Sequence, residues 1–170
     1  MQIRNSWRKK PALVYPIPPA PLTAVLLDGF RSAGNIRVFE NGWSEEAAEW
    51  RPSAIAATSA QLSSLPSIPS LRNALIALVR PNEPGLSEED RERLWRTFRV
   101  PVFEQRIDGL CNLLAAECEA HDGLHMESPA AIPREGELVE TAPCGCGRTT
   151  PRLIAPERSE NLRKVAAYAR

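Results

Sequence analysis

The stretch "NALIALVRPNEPGLSEEDRERLWRTFRVPVFEQ", Asn73 to Gln105, decides the fold class of the chain. From Ala74 to Val79 every position is apolar, so a strand there has no wet face and must be covered on both sides. The middle reads as a helix. Ser87 is placed to cap it, Asp90 follows three residues later as the box partner, and Leu94 and Phe98 lie four apart on one face. "VPVFEQ", Val100 to Gln105, returns to strand. Strand, helix and strand joined by short connections predict parallel pairing.

The same alternation runs upstream. "NIRVF" (Asn35 to Phe39) reads as a strand and "SEEAAEW" as a short helix capped by Ser44. "SAIAAT" (Ser53 to Thr58) is a second strand, with a helix over Ser59 to Leu65. The expected class is α/β, a mostly parallel, helix-covered sheet within one domain over residues 23–153. Residues 1–22 form a basic, proline-rich arm, with Arg4, Arg8, Lys9 and Lys10 around Trp7 and then "PALVYPIPPAPL". Five prolines in that run exclude a helix interior or a central strand. They favour a strap over the domain or a disordered leader, with a partner-binding tail as the alternative. Residues 154–170 contain "SENLRKVAAYAR", an amphipathic C-terminal helix with Leu162, Val165 and Ala166 on one side.

Beyond Gln105 the pattern changes. "LLAAECEA" suits a helix by propensity and a strand by context. "GLHMES" and "GELVET" read as two short strands joined through "PAAIPRE", a small C-terminal β-hairpin that leads into "PCGCGRTTPRL". Charge is balanced at 21 basic and 21 acidic residues, so no net field draws the chain to nucleic acid or an anionic membrane. No apolar run is long enough to span a bilayer, and the prolines near the start argue against a signal peptide. A cytoplasmic setting is expected, where cysteines act as ligands or inert core residues rather than in disulfides.

Cys144 and Cys146 form a C-x-C flanked by glycines that let both sulfurs face one point. Cys118, His121 and His125 lie about twenty residues upstream, close to the proposed hairpin. Two cysteines from a knuckle, a third cysteine and one imidazole make a closed tetrahedral set for structural zinc, with no open position for water. His121 and His125 compete for the nitrogen position. We take His125, giving Cys118, His125, Cys144 and Cys146 as the metal site. Cys111, within "LCNLL", reads as a packing residue. Glu117 is a candidate acceptor for the imidazole N–H, or simply a solvated carboxylate. Arg148 and Arg152 read as structural, and Asp108 and Asp122 have no evident basic partner. Trp43, Trp50 and Trp95 read as packing around the helices. There is no G-x-S-x-G, and with both histidines near the cysteines a hydrolytic triad is disfavoured.

Three segments, taken in order, resemble the phenylacetate-CoA ligase branch of the adenylate-forming superfamily. They are "RPSAIAATSAQLSSL", "EPGLSEEDRERLWRTFRVPVFEQ" and the run from "AAECEAHDGLHMES" through "GELVET" to "PCGCGRTTPRL". The resemblance implies a fragment of the ligase N-terminal domain, and zinc on Cys118, His125, Cys144 and Cys146. It also has departures. Where the family carries Tyr-Gly-x-Thr-Glu after this strand, Arg106, Ile107, Asp108, Gly109 and Leu110 stand here, with Gly109 for the threonine and Leu110 for the magnesium-holding acid. A leucine offers no oxygen to a hard cation. The family's Tyr-Arg-Thr-Gly-Asp segment is missing between Thr141 and Pro143, and no serine- and glycine-rich phosphate loop occurs. Nor does the sequence up to Arg170 include the family's C-terminal domain with its catalytic lysine.

Adenylation depends on placing and neutralising phosphates, so these departures predict a scaffold without that chemistry. The expected function is binding or assembly by a non-catalytic, zinc-stabilised relative, with a protein partner or self-association and neither nucleic acid nor membrane. The alternatives are one component of a split carboxylate-CoA ligase, and a protein that binds an aromatic acid or acyl-CoA.

Overall fold

The structure, a computed structural model, describes residues 9–155. Its strands are β1 (Thr23–Val25), β2 (Ile36–Val38), β3 (Ala54–Ala57), β4 (Ala74–Val79), β5 (Val102–Ile107), β6 (Leu113–Glu117), β7 (Leu124–Met126), β8 (Leu138–Glu140) and β9 (Arg152–Ile154). The helices are α1 (Glu45–Glu49), α2 (Ser59–Ser63) and α3 (Glu88–Phe98). The strands form one sheet in the order β2-β1-β3-β4-β5-β6-β7-β9-β8. No helix among the described residues is long and apolar enough to cross a membrane.

Each helix starts where its sequence provides a cap. Ser44 Oγ accepts from the Ala47 amide at 3.3 Å, and Thr58 and Gln61 close a reciprocal box ahead of α2. At α3, Ser87 Oγ accepts from Asp90 N at 3.0 Å and donates to Asp90 Oδ2 at 2.7 Å. Asp90 thus answers the cap hydroxyl rather than its backbone N–H. The helix ends at Arg99, in the left-handed region at φ 59°, with its guanidinium 4.7 Å from the Trp95 ring centroid.

From β2 to β5 every ladder is parallel, and from β5 to β8 every ladder is antiparallel. The expected mostly parallel sheet with an appended hairpin is therefore corrected to one continuous mixed sheet. Nor, among the described residues, do helices cover both faces. Ala47, Leu62 and Leu94 pack with Leu26, Ile55, Leu75 and Ala77 on one face. On the other, Val25, Ala56, Ile76, Leu78 and Ile107 meet Leu13, Tyr15 and Ala20 of the arm, with Leu27 and Phe30 from the β1–β2 loop. The arm is stitched down as well as packed: Gln105 Nε2 donates to the Val14 carbonyl at 2.7 Å, and the Arg31 amide to that of Pro11 at 2.8 Å. From residue 9 onward the arm lies over the sheet as a strap, one of the readings its sequence left open.

"LLAAECEA" resolves as strand, because β5 offers it an open edge. "GLHMES" and "GELVET" do form β7 and β8, but they do not pair with each other. The unforeseen β9 lies between them, pairing Leu124↔Leu153 on one side and Val139↔Leu153 on the other. Gly123 makes room for it. With φ at 81°, a Cβ there would stand 2.5 Å from Ile154 Cδ1 and 2.7 Å from the Leu153 carbonyl oxygen. Ile154, expected to open the C-terminal helix, closes β9 instead; the rest of that helix, from residue 156, and residues 1–8 of the arm lie outside the described residues.

Polar side chains fill the helix-side face of the antiparallel half. Arg91 grips the buried Glu117 through two hydrogen bonds of 3.0 and 3.1 Å, and Glu117 accepts the Glu104 amide at 2.7 Å. Arg106 bonds Glu104 at 3.1 Å and Glu137 at 2.8 and 2.5 Å. Burial pushes the Glu137 carboxyl up, but the Arg106 guanidinium and the Arg134 amide outweigh it and hold it below the usual carboxylate range.

Candidate metal centre

Two strands and one loop build the site. Ala116 in β6 pairs with His125 in β7, so their side chains rise on one face; Cys118, one step past the end of β6, returns to that face by alternation. His125 is fully buried. The β8–β9 connection brings in the knuckle. It turns tightly, with the Gly147 amide donating to the Cys144 carbonyl and the Cys144 amide to that of Arg148, both at 2.9 Å. Gly147 takes the left-handed conformation this requires, at φ 86°.

One ligand atom each from Cys118, His125, Cys144 and Cys146 lies within 4.8 Å of all the others. The Cys118 and Cys144 sulfurs are 3.6 Å apart, and Cys146 Sγ is 3.5 Å from His125 Nε2. Tetrahedral zinc, with bonds of about 2.3 Å to sulfur and about 2.0 Å to nitrogen, spaces its ligands about 3.8 Å (S···S) and about 3.5 Å (S···N) apart. The cysteines are free thiols.

Burial pushes the Cys118 thiol up, to about 12, so in this environment it is a poor thiolate without a cation beside it. Burial acts the same way on Cys144, but the Cys146 amide and the neighbouring thiols outweigh it and lower that thiol. Burial, with Arg148 second, lowers His125 and keeps its ring neutral, the form that ligates metals.

His121 does not join this set. It sits at φ 49° and stacks on Phe103, centroids 4.7 Å apart, with Nδ1 3.9 Å from Glu117. Glu117 consequently does not hold the His125 imidazole as expected; it points to the opposite face, toward Arg91. Thr150 takes that place, its Oγ1 2.7 Å from His125 Nδ1. The sequence hinted at this only through the Thr-Thr-Pro that follows the knuckle.

Arg152, the cross-strand partner of His125, is buried. It bonds the Asp122 carboxylate, the Asp122 carbonyl at 2.7 Å and the Ala142 carbonyl at 3.3 Å. Asp122 therefore has the basic partner that the sequence left unidentified. Arg148, more exposed, bonds Glu127 at 2.6 Å. Cys111 is remote, buried against the β1–β2 loop with its sulfur 3.6 Å from the Asp28 carbonyl oxygen. Trp43 and Trp50 pack on the helix-side core as expected, whereas Trp95 is 49% exposed.

No protein-family model matches the chain, and no curated protein matches it. Among solved structures, it is similar to an open conformation of 2-hydroxyisobutyryl-CoA ligase in complex with 2-HIB-AMP and CoA. That match covers 81% of this chain and 44% of the ligase, with a TM-score of 0.55 and 17% identity. A second structure of the same ligase, in the postadenylation state with R3-HIB-AMP, covers 71% of this chain and 37% of its own, with 16% identity and a TM-score of 0.47. The chain thus spans less than half of the ligase it matches. At this identity the likeness concerns architecture alone: the mixed α/β sheet is similar to the fold of an adenylate-forming acyl-CoA ligase.

Proposed function

We propose that the protein is a zinc-stabilised, non-catalytic relative of the phenylacetate-CoA ligase branch, acting in the cytoplasm by binding or assembly with a protein partner or a second copy. The observation that carries this reading is the convergence of Cys118, His125, Cys144 and Cys146 within 4.8 Å. Three sulfurs and an imidazole suit zinc rather than magnesium or calcium, and four protein ligands close the coordination sphere. Three thiolates and one divalent ion leave a net charge of −1. The adjacent Arg152 fits that charge, and its buried Nε has no hydrogen-bond partner among the described protein atoms. Zinc there would cross-link β6, β7 and the β8–β9 loop.

The stretch Asp108 to Asn112 supports the non-catalytic part. The Asp108 carboxylate accepts the Leu110 and Asn112 amides, both at 2.8 Å, and so is spent on its own turn. Leu110, where the resemblance expects an acid, is 55% exposed. The test joins elemental analysis of the purified protein to ATP–magnesium titration. One zinc per chain and no heat of nucleotide binding are expected; a metal-free, folded protein or ordinary ATP affinity overturns the reading.

A second reading, a binder of a small aromatic acid or its CoA ester, has one observation in its favour. A cavity of about 300 Å³ is lined by Val79, Ile107, Leu114 and Leu153, with Arg106 and Arg134 beside them. It requires saturable calorimetric binding of aromatic acids, and a flat titration removes it.

A further inference from the structure

We propose that Thr150 is the positioning residue of the metal centre: its hydroxyl oxygen accepts the Nδ1–H proton of His125 and thereby presents Nε2, bare, to the metal. This rests on the metal reading above and adds a residue to it.

A neutral imidazole carries one proton on two nitrogens, and only the nitrogen without it can ligate. Nε2 is the nitrogen that faces the sulfurs, 3.5 Å from Cys146 Sγ. The proton must then sit on Nδ1. His125 is fully buried, so water cannot take it, and an unpaired N–H in that position would cost on the order of 1–3 kcal/mol. Thr150 Oγ1, 2.7 Å away, is the side-chain atom that satisfies it.

The backbone explains why the hydroxyl is there. The Met126 amide donates to the Pro151 carbonyl at 2.9 Å, which fastens the chain at Pro151 to the end of β7. Pro151 confines the residue before it to extended conformations. Thr150 is β-branched, so its χ1 has few choices. A hydroxyl on a stiff side chain, ahead of a proline and beside the strand that carries the histidine, leaves little freedom to either partner. Thr150 thus gives the loop holding Cys144 and Cys146 a second contact with His125, beside that of Cys146 itself. Outer partners of this kind change metal affinity about 10–100-fold.

Zinc affinity is measured on the full chain by competition with a chromophoric chelator for wild type, Thr150→Val and Thr150→Ser. Imidazole ¹⁵N shifts of the zinc-loaded wild type are recorded alongside, together with melting of the metal-free forms. Without metal the ring can carry its proton on Nε2, beside the Cys146 sulfur, so metal-free Thr150→Val is expected to melt like wild type. The same variant should bind zinc about 10–100-fold more weakly, whereas Thr150→Ser keeps the affinity. The wild-type spectrum should show a protonated Nδ1 and a ligated Nε2. Unchanged affinity in Thr150→Val, equal loss in Thr150→Ser, or a loss matched by lower metal-free stability overturns the proposal. If Thr150→Val does not fold, the wild-type spectrum decides, and a protonated Nε2 refutes it. Wild type that takes up no zinc at all is a different failure, that of the metal reading itself.

Discussion

The two halves of the sheet solve the same problem with different chemistry. From β2 to β5, strands of alanine, leucine and isoleucine are sealed by helices on one side and by the arm on the other. From β6 to β8 the buried apolar cluster shrinks to Ala115, Leu124, Ala131 and Leu153. Buried charges (Glu117 and Arg152, with Glu104 and Arg106 reaching over from the shared strand β5) and the cysteine–histidine set occupy the remaining volume. Apolar burial is tolerant, since it scales with area and is indifferent to direction. Charges and metal ligands are directional, and each depends on its partner. The first half should therefore weaken gradually under substitution, and the second should fail at single residues.

On the zinc reading proposed above, the sharpest way to break this contrast is to remove the metal. Chelation, or Cys144→Ser, should abolish zinc uptake and cost on the order of 10 kcal/mol of apparent free energy. Hydrogen exchange should then open β7, β8 and β9 while β3 and β4 stay protected; uniform opening of both halves would dissolve the distinction.

Next in size is the ionic ladder. Glu137→Gln leaves Arg106 with one carboxylate partner and should destabilise by about 3–5 kcal/mol at neutral pH. The pH dependence has a definite sign. The Glu137 carboxyl is held below its usual value of 4.5 in the folded state, so its contribution is complete above that value and is lost as pH falls through the lowered one. Denaturant melts between neutral and acid pH should show a shallower acid loss in Glu137→Gln than in wild type.

The smallest effect belongs to the parallel half. Leu75→Ala, at a fully buried β4 position, should cost about 2–5 kcal/mol, spread over the whole domain, with zinc affinity unchanged. A drop in zinc affinity there would mean that the halves are coupled more tightly than their chemistry implies.

The same contrast governs what could be read from the sequence. Asn73 to Gln105 announced strand, helix and strand because periodicity and caps are local, and Ser44 and Ser87 cap the helices they were expected to cap. The metal candidates were legible because few residue types can hold zinc. The partners of the antiparallel half were not, since pairing across a sheet is set by topology. Arg152, Leu153 and Ile154 have no alternation long enough to mark a strand, yet they separate β7 from β8. Glu117 was assigned to the wrong histidine for the same reason. Its side chain points to the opposite face, a fact that appears only once the register of β6 against β7 is known.

Because β9 threads between β7 and β8, synthesis order acquires a meaning. On the ribosome β8 emerges first, and among the described strands β9 is its only neighbour. Leu138 and Val139, partly exposed even in the finished protein, wait unzipped until residue 154 has left the tunnel. The interval between these two segments is the time in which a nascent chain is most open to the wrong β-edge, and the cysteine loop is the length of peptide that sets it.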